Sequence, residues 1–257
     1  MNLFDLTGKV AVVTGASSGL GKDAALAYAE AGADVALIAR RKEKLEEVEA
    51  KIKSMGRKAL AVQCDVTDIK DCEDAIKEVY EYFGRIDILL NNAGLAKTGG
   101  VDTMAKEDWD AVFDVNVNGI FNISKFVVPH MIEAKYGKIV NIASINAIVA
   151  DKAPELVRHA YNASKAAVRG LTMGMAASYA QHNITVNSIG PGLFESEMTE
   201  NTLFKHQGFM QMYNALNPAS RPGRKGELNG TIIYLSSDAS SYVQSQHIIV
   251  DGGMMII

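Results

Sequence analysis

Short runs of apolar, β-branched residues alternate with longer stretches whose apolar positions recur every three or four residues. The short runs predict strands at 10–14, 34–39, 59–64, 86–91, 138–143, 184–188 and 247–250. The longer stretches predict helices at 20–31, 43–55, 69–83, 107–135, 158–181 and 225–236. Several strands are apolar at nearly every position, as in Val10-Ala11-Val12-Val13. Strands covered by helices on both faces read this way, because neither side of a parallel sheet meets water. Regular strand–helix alternation predicts an α/β fold: a doubly wound parallel sheet of the Rossmann type, with helices on both faces. There is no linker or repeat, so 1–257 is expected to form a single dinucleotide-binding domain. Two segments break the pattern. The stretch 145–157 carries Asp151, Lys152, Pro154 and Glu155, and 193–217 is rich in Met, Phe and Asn. Both follow strand C-termini, the edge where open α/β sheets bind ligands. A lid over the substrate is therefore expected at about 193–217.

Composition narrows the class. The chain has 257 residues, 48% hydrophobic and 22% charged, and a formal net charge of −4. An apolar fraction near half argues for a folded globule rather than disorder. The negative charge argues against nucleic-acid or anionic-membrane partners. Apolar runs fall short of the roughly 20 residues a membrane helix needs, and the N-terminus lacks a secretory pattern. With Cys64 and Cys72 too few for a disulfide framework, a cytoplasmic location is expected. His130, His159, His182, His206 and His247 show no metal-ligand spacing, so no metal is expected.

Between the first strand and first helix lies Thr14-Gly15-Ala16-Ser17-Ser18-Gly19-Leu20-Gly21. Glycines let a backbone turn approach a phosphate, and the following helix aims its positive end at it. The same residues also read G-x-S-x-G, which would make Ser17 a hydrolase nucleophile; the position directly after the first strand favours the phosphate reading. The second strand ends Ala39-Arg40-Arg41, without the carboxylate that bonds the ribose hydroxyls of NAD. Arg40 and Arg41 offer planar donors for a phosphate, which favours NADP(H) while leaving NAD(H) open. Farther on, Tyr161 and Lys165 stand four apart near a helix start, hence on one face. An ammonium beside a phenol favours the phenolate, so Tyr161 is expected to ionise below its ordinary pKa of about 10. Ser144 follows a strand and is a candidate to hold the same substrate oxygen.

Thr14-Gly15, Gly19 and Gly21, Asn91-Asn92-Ala93-Gly94, Ser144, Tyr161-x-x-x-Lys165 and Pro191-Gly192 occur in one order across nearly the whole chain. This combination resembles the short-chain dehydrogenase/reductase family. The resemblance implies Tyr161 as general acid/base, Lys165 on the nicotinamide ribose, Ser144 orienting the substrate, and Asn116 holding a proton-relay water. It implies cofactor contacts from Gly15, Ser17, Ser18, Gly19, Leu20 and Gly21. Asp65 and Val66 correspond to adenine contacts, and Asn92, Ala93 and Gly94 to the adenosine ribose. Phe194 and Ser196 correspond to contacts with the carboxamide. A homotetramer or homodimer is implied as well. Two departures stand out: Ser18 replaces a basic residue common in NADP-using members, and Ser144 and Tyr161 stand farther apart than usual.

The substrate is then a secondary alcohol or ketone. Met198, Leu203, Phe204, Phe209, Met210, Met212 and Tyr213 in the lid suit a bulky apolar body. Lys97, Lys152, Arg158, Lys205 and His206 are candidates to meet an acidic end. A hydroxysteroid or bile acid is the first expectation. A sugar acid or polyol, as for gluconate 5-dehydrogenase, and a 3-oxoacyl carrier-protein reductase are the alternatives. A non-catalytic NADP sensor is the alternative from another class.

Overall fold

The computed structural model describes residues 2–151, 156–196, 199 and 203–256. Seven strands form one parallel sheet: β1 (Val10–Thr14), β2 (Asp34–Ala39), β3 (Ala59–Gln63), β4 (Ile88–Asn91), β5 (Gly137–Ile142), β6 (Ile184–Pro191) and β7 (His247–Val250). Their order is β3-β2-β1-β4-β5-β6-β7, every neighbouring pair parallel. The chain winds outward in one direction from β1 and in the other from β4. The crevice between those strands is the switch point where ligands bind in such sheets.

The side-chain period of two sorts each strand onto two cores. Ala11 and Val13 of β1, with Ile88 and Leu90 of β4, join the core that also holds Tyr28, Leu45, Val48, Ile232 and Leu235. Those residues belong to α1 (Gly19–Glu30), α2 (Lys42–Ser54) and a late helix, Asn229–Ser236. Val12 and Leu89 face the other core, with Ile76, Val79, Ile123, Val127 and Met175. These come from α3 (Ile69–Phe83), the helix Gly119–Ala134, and the helix His159–Tyr179. Burial on both faces is why the strands read as unbroken apolar runs.

The expected helix at 107–135 is not continuous. It comprises α4 (Lys106–Phe113), a π-helical turn (Asp114–Asn118) and α5 (Gly119–Ala134). The wider turn keeps the helix axis while changing which side chains point inward, and such turns concentrate at functional sites. α6 (His159–Tyr179) matches the expectation closely. Within the expected lid lies α7 (Gln207–Leu216), and the last expected helix is the shorter α8 (Asn229–Ser236). Stretch 145–157 opens with a 3-10 turn, Ile145–Ala147, in keeping with its lack of helical periodicity. Lys152, Pro154, Glu155 and Met198 lie outside the described residues. Among the described residues, no helix is long and apolar enough to cross a membrane.

Candidate active site

The glycine turn leaves β1 at Thr14 and enters α1 at Gly19. Gly15 sits at φ +67°, and a Cβ there would lie 2.8 Å from Asn92 Nδ2 and 2.9 Å from Ala93 Cα. Only glycine meets both demands. Thr14, which the sequence reading left without a role, locks the turn to the loop after β4. Its hydroxyl accepts from the Asn92 and Ala93 N–H groups at 3.0 and 3.1 Å. Asn92 returns the bond, its amide donating to the Thr14 and Gly15 carbonyls at 3.1 and 3.3 Å. Asn92 and Ala93 thus brace the turn, and Gly94 packs against Asn116 and Lys165.

Ser18 is the N-cap of α1. Its side chain makes no cap hydrogen bond, and the first turn carries no acidic residue. Those backbone N–H groups and the helix dipole favour an anion. Arg41 lies over the same turn, Nη2 donating to Ser17 Oγ at 3.1 Å and Ser18 Oγ at 2.8 Å. Ser17 therefore meets a guanidinium rather than the imidazole a hydrolase nucleophile needs. Arg40 points outward, 75% exposed, with Nη1 3.9 Å from Asp65 Oδ2. Asp65 does not cap α3; Asp68 does, accepting from the Lys70 and Asp71 N–H groups. The Asp65 carboxylate instead accepts from Thr67 at the rim of this cleft, beside buried Val66.

Across the sheet edge, β5 ends before Ser144 and α6 begins at His159. The Ser144 hydroxyl lies near enough to the Tyr161 phenol to favour its ionisation. Lys165 is 3% exposed, and its Nζ lies 5.6 Å from the Tyr161 ring centroid. The ammonium donates to the Ile142 carbonyl at 2.8 Å, and burial brings its pKa down to about 8. Tyr161 departs from expectation. Burial pushes its phenol up, outweighing the Ser144 hydrogen bond and the nearby Arg158 guanidinium, which lower it. At this depth, loss of solvation dominates the phenol's ionisation.

Asn116 is fully buried in the π turn. Its Oδ1 accepts from Leu95 N at 2.7 Å, and its Nδ2 donates to Leu95 O and to Ser164 Oγ, both at 2.9 Å. Ser164 in turn donates to the Tyr161 carbonyl at 2.9 Å. Ser164 was missed by sequence reading, although it lies inside the Tyr161–Lys165 segment. Asn162 was missed too; its amide donates to Asn146 O and Val149 O at 2.9 and 2.8 Å, tying the 145–147 turn to α6.

Phe194 is 5% exposed and packs into the sheet core. The Ser196 hydroxyl pairs with Thr199 at 3.0 Å. Leu20 packs against the first core and Gly21 against Asn92. Within the lid, Tyr213 is buried and bonded to Asn217 through its hydroxyl, and Phe209 packs against it. Of the rim cations, Lys97 pairs with Asp108 at 3.1 Å and His206 caps α7. Arg158 lies against the Tyr161 ring, Cζ 5.8 Å from its centroid. Among the described residues, there is no cluster of three or more His, Cys, Asp or Glu side chains able to hold a metal ion.

With this geometry in view, the chain has clear relatives. The short chain dehydrogenase family model matches residues 9–207. Gluconate 5-dehydrogenase of Gluconobacter oxydans is 38% identical, over 99% of this chain and 98% of that protein. The 3-oxoacyl-[acyl-carrier-protein] reductase FabG of Thermotoga maritima is also 38% identical, over 98% of this chain and 99% of its own. The crystal structure of a gluconate 5-dehydrogenase from Burkholderia cenocepacia, in complex with NADP and tartrate, superposes with a TM-score of 0.94 at 36% identity. That match covers 100% of this chain and 98% of the other.

Proposed function

The chain belongs to the short-chain dehydrogenase family, and from that premise we propose that it is an NADP(H)-dependent oxidoreductase acting on a sugar acid. It interconverts a secondary alcohol and a ketone. The observation that carries the reading is the polar, cationic surround of Tyr161: Ser144 and Arg158 both act on its phenol, and Asn162 beside it ties the 145–147 turn to α6. The similarity to gluconate 5-dehydrogenases supports it over nearly full length. A hydroxysteroid gains no such support, and one of the side chains expected to meet one, Tyr213, is committed to packing.

The cleft suits a phosphorylated dinucleotide. The α1 N-terminus receives the pyrophosphate, and Arg41, already over Ser17 and Ser18, reaches the 2′-phosphate. Arg40 and Asp65 flank the adenine side. Bound nicotinamide supplies or accepts the hydride. Tyr161 exchanges the proton with the substrate oxygen, and Ser144 orients that oxygen. Lys165, with a pKa near 8, is mostly protonated at neutral pH. Its charge beneath Tyr161 favours the phenolate that forms during alcohol oxidation. Asn116 and Ser164 hold the Tyr161 backbone in register with the loop after β4.

The test is a panel of 5-keto-D-gluconate, an acetoacetyl thioester and a ketosteroid, each with NADPH and NADH, followed by cofactor absorbance. The keto acid with NADPH is expected to give the highest kcat/KM. Preference for the thioester would move the assignment to a 3-oxoacyl reductase, to which the chain is equally similar. Binding of NADPH with no turnover of any ketone would favour a sensor.

A further inference from the structure

Arg158 stands at the N-cap of α6, three residues before Tyr161. Its backbone is pinned: Arg158 bridges to Gly99, flanked by hydrogen bonds from Gly99 N to Val157 O at 2.8 Å and from His159 N to Gly99 O at 3.2 Å. The side chain is held at its base, where Nε donates to Leu156 O at 3.2 Å. Among the described residues, no hydrogen bond is made by the outer fork, the two Nη groups with four of the five guanidinium N–H donors. The neighbouring carboxylate, Asp151, is 3.8 Å from Nη2. This exceeds hydrogen-bond distance, so the ion pair is loose. The side chain is only 22% exposed, which strengthens its attraction for an anion over that of a solvated surface arginine.

We propose that Arg158 is the specificity-determining residue that receives the carboxylate of the substrate. The assignment deepens the sugar-acid reading and rests on it. Arginine matches a carboxylate with two parallel N–H···O bonds, a geometry that fixes orientation as well as charge. The span also fits. In a six-carbon acid reacting at C5, the carboxylate carbon is four bonds away, about 5 Å when extended. The guanidinium carbon lies 5.8 Å from the centroid of the Tyr161 ring, which places it beside the group that handles the reacting oxygen. Of the four competing cations named from the sequence, Lys97 pairs with Asp108 and His206 caps α7, while Lys152 lies outside the described residues. Lys165 lies buried on the Ile142 carbonyl.

The test compares 5-keto-D-gluconate with L-sorbose, which has a CH2OH group in place of the carboxylate. Arg158→Gln is expected to raise KM for the keto acid about 10- to 100-fold, the loss of a charge-assisted pair. Loss of the charge beside Tyr161 acts on both substrates alike, so the readout is the ratio of kcat/KM for the keto acid to that for L-sorbose, which should fall about 10- to 100-fold. Arg158→Lys, which keeps the charge but not the fork, should fall between. Calorimetric titration of the NADP-loaded protein with D-gluconate should show the same ranking without turnover. A wild type that prefers the acid, with Arg158→Gln keeping that preference, overturns this assignment alone. A wild type with no preference overturns the sugar-acid reading and the assignment together. Should Arg158→Gln fail to fold, Arg158→Lys carries the comparison: unchanged affinity for D-gluconate and an unchanged keto acid KM would count against the proposal.

Discussion

Tyr161 illustrates how burial and charge compete at one side chain. The lysine four residues on is close, yet burial still drives the phenol's ionisation upward and the lysine's downward. A protonated phenol can donate its proton to a ketone oxygen. Replacing Tyr161 with Phe removes the donor and little volume. We expect kcat to fall by about 10²–10⁴-fold, the usual worth of a positioned acid. NADPH binding, followed by fluorescence, should hardly change. Retained turnover in the Phe variant would remove Tyr161 from the chemistry. The Tyr-x-x-x-Lys spacing was legible in the sequence because it is local. The sign of the phenol's shift was not, because desolvation depends on what the rest of the chain stacks around it.

At the level of elements, the informative departure is the interrupted helix before α5. Apolar periodicity predicts one helix through 107–135, since a five-residue π turn is too short to interrupt the period on either side. Only the packing shows that Asn116 turns inward to hold the Leu95 backbone. A second case lies at the outer edge of the sheet, where β7 pairs with β6 through Ser188 and His247. His247 bonds Ser188 Oγ at 2.9 Å, and burial, then Arg169, hold its pKa down to about 4. An unfolded histidine titrates near 6.5. Between those values the unfolded chain binds a proton that the folded chain refuses, so stability falls as pH drops from about 6.5 toward 4. The loss is at most about 3 kcal/mol, and above pH 6.5 there is none. His247→Gln should remove this acid sensitivity. Urea unfolding at pH 7 and pH 5 measures it; equal losses in wild type and variant would contradict a histidine held neutral.

At the scale of the molecule, the parallel sheet places the glycine turn, the Asn92 loop, Ser144 and the start of the segment after β6 along one edge. Ligand and fold stability are therefore linked. At NADPH concentrations 100 times Kd, binding adds about 2.7 kcal/mol. In a domain of this size each kcal/mol raises Tm by roughly 2–4 °C. A thermal melt should show a larger shift with NADPH than with NADH, and Arg41→Ala should erase most of that difference. An equal shift for both cofactors in the wild type would remove Arg41 as the selector.

By itself the sequence determined the order of strands and helices, the doubly wound sheet, the glycine turn and the Tyr161–Lys165 pair. Each rests on a period or spacing confined to neighbouring residues, where backbone geometry leaves few choices. Tertiary structure alone decided that Asn116 reaches Ser164, 48 positions away, that Phe194 packs inward, and that Arg158 rather than Lys97 lies beside the phenol. Those outcomes depend on which distant segments share a buried volume, and on the charge and solvation they bring to it.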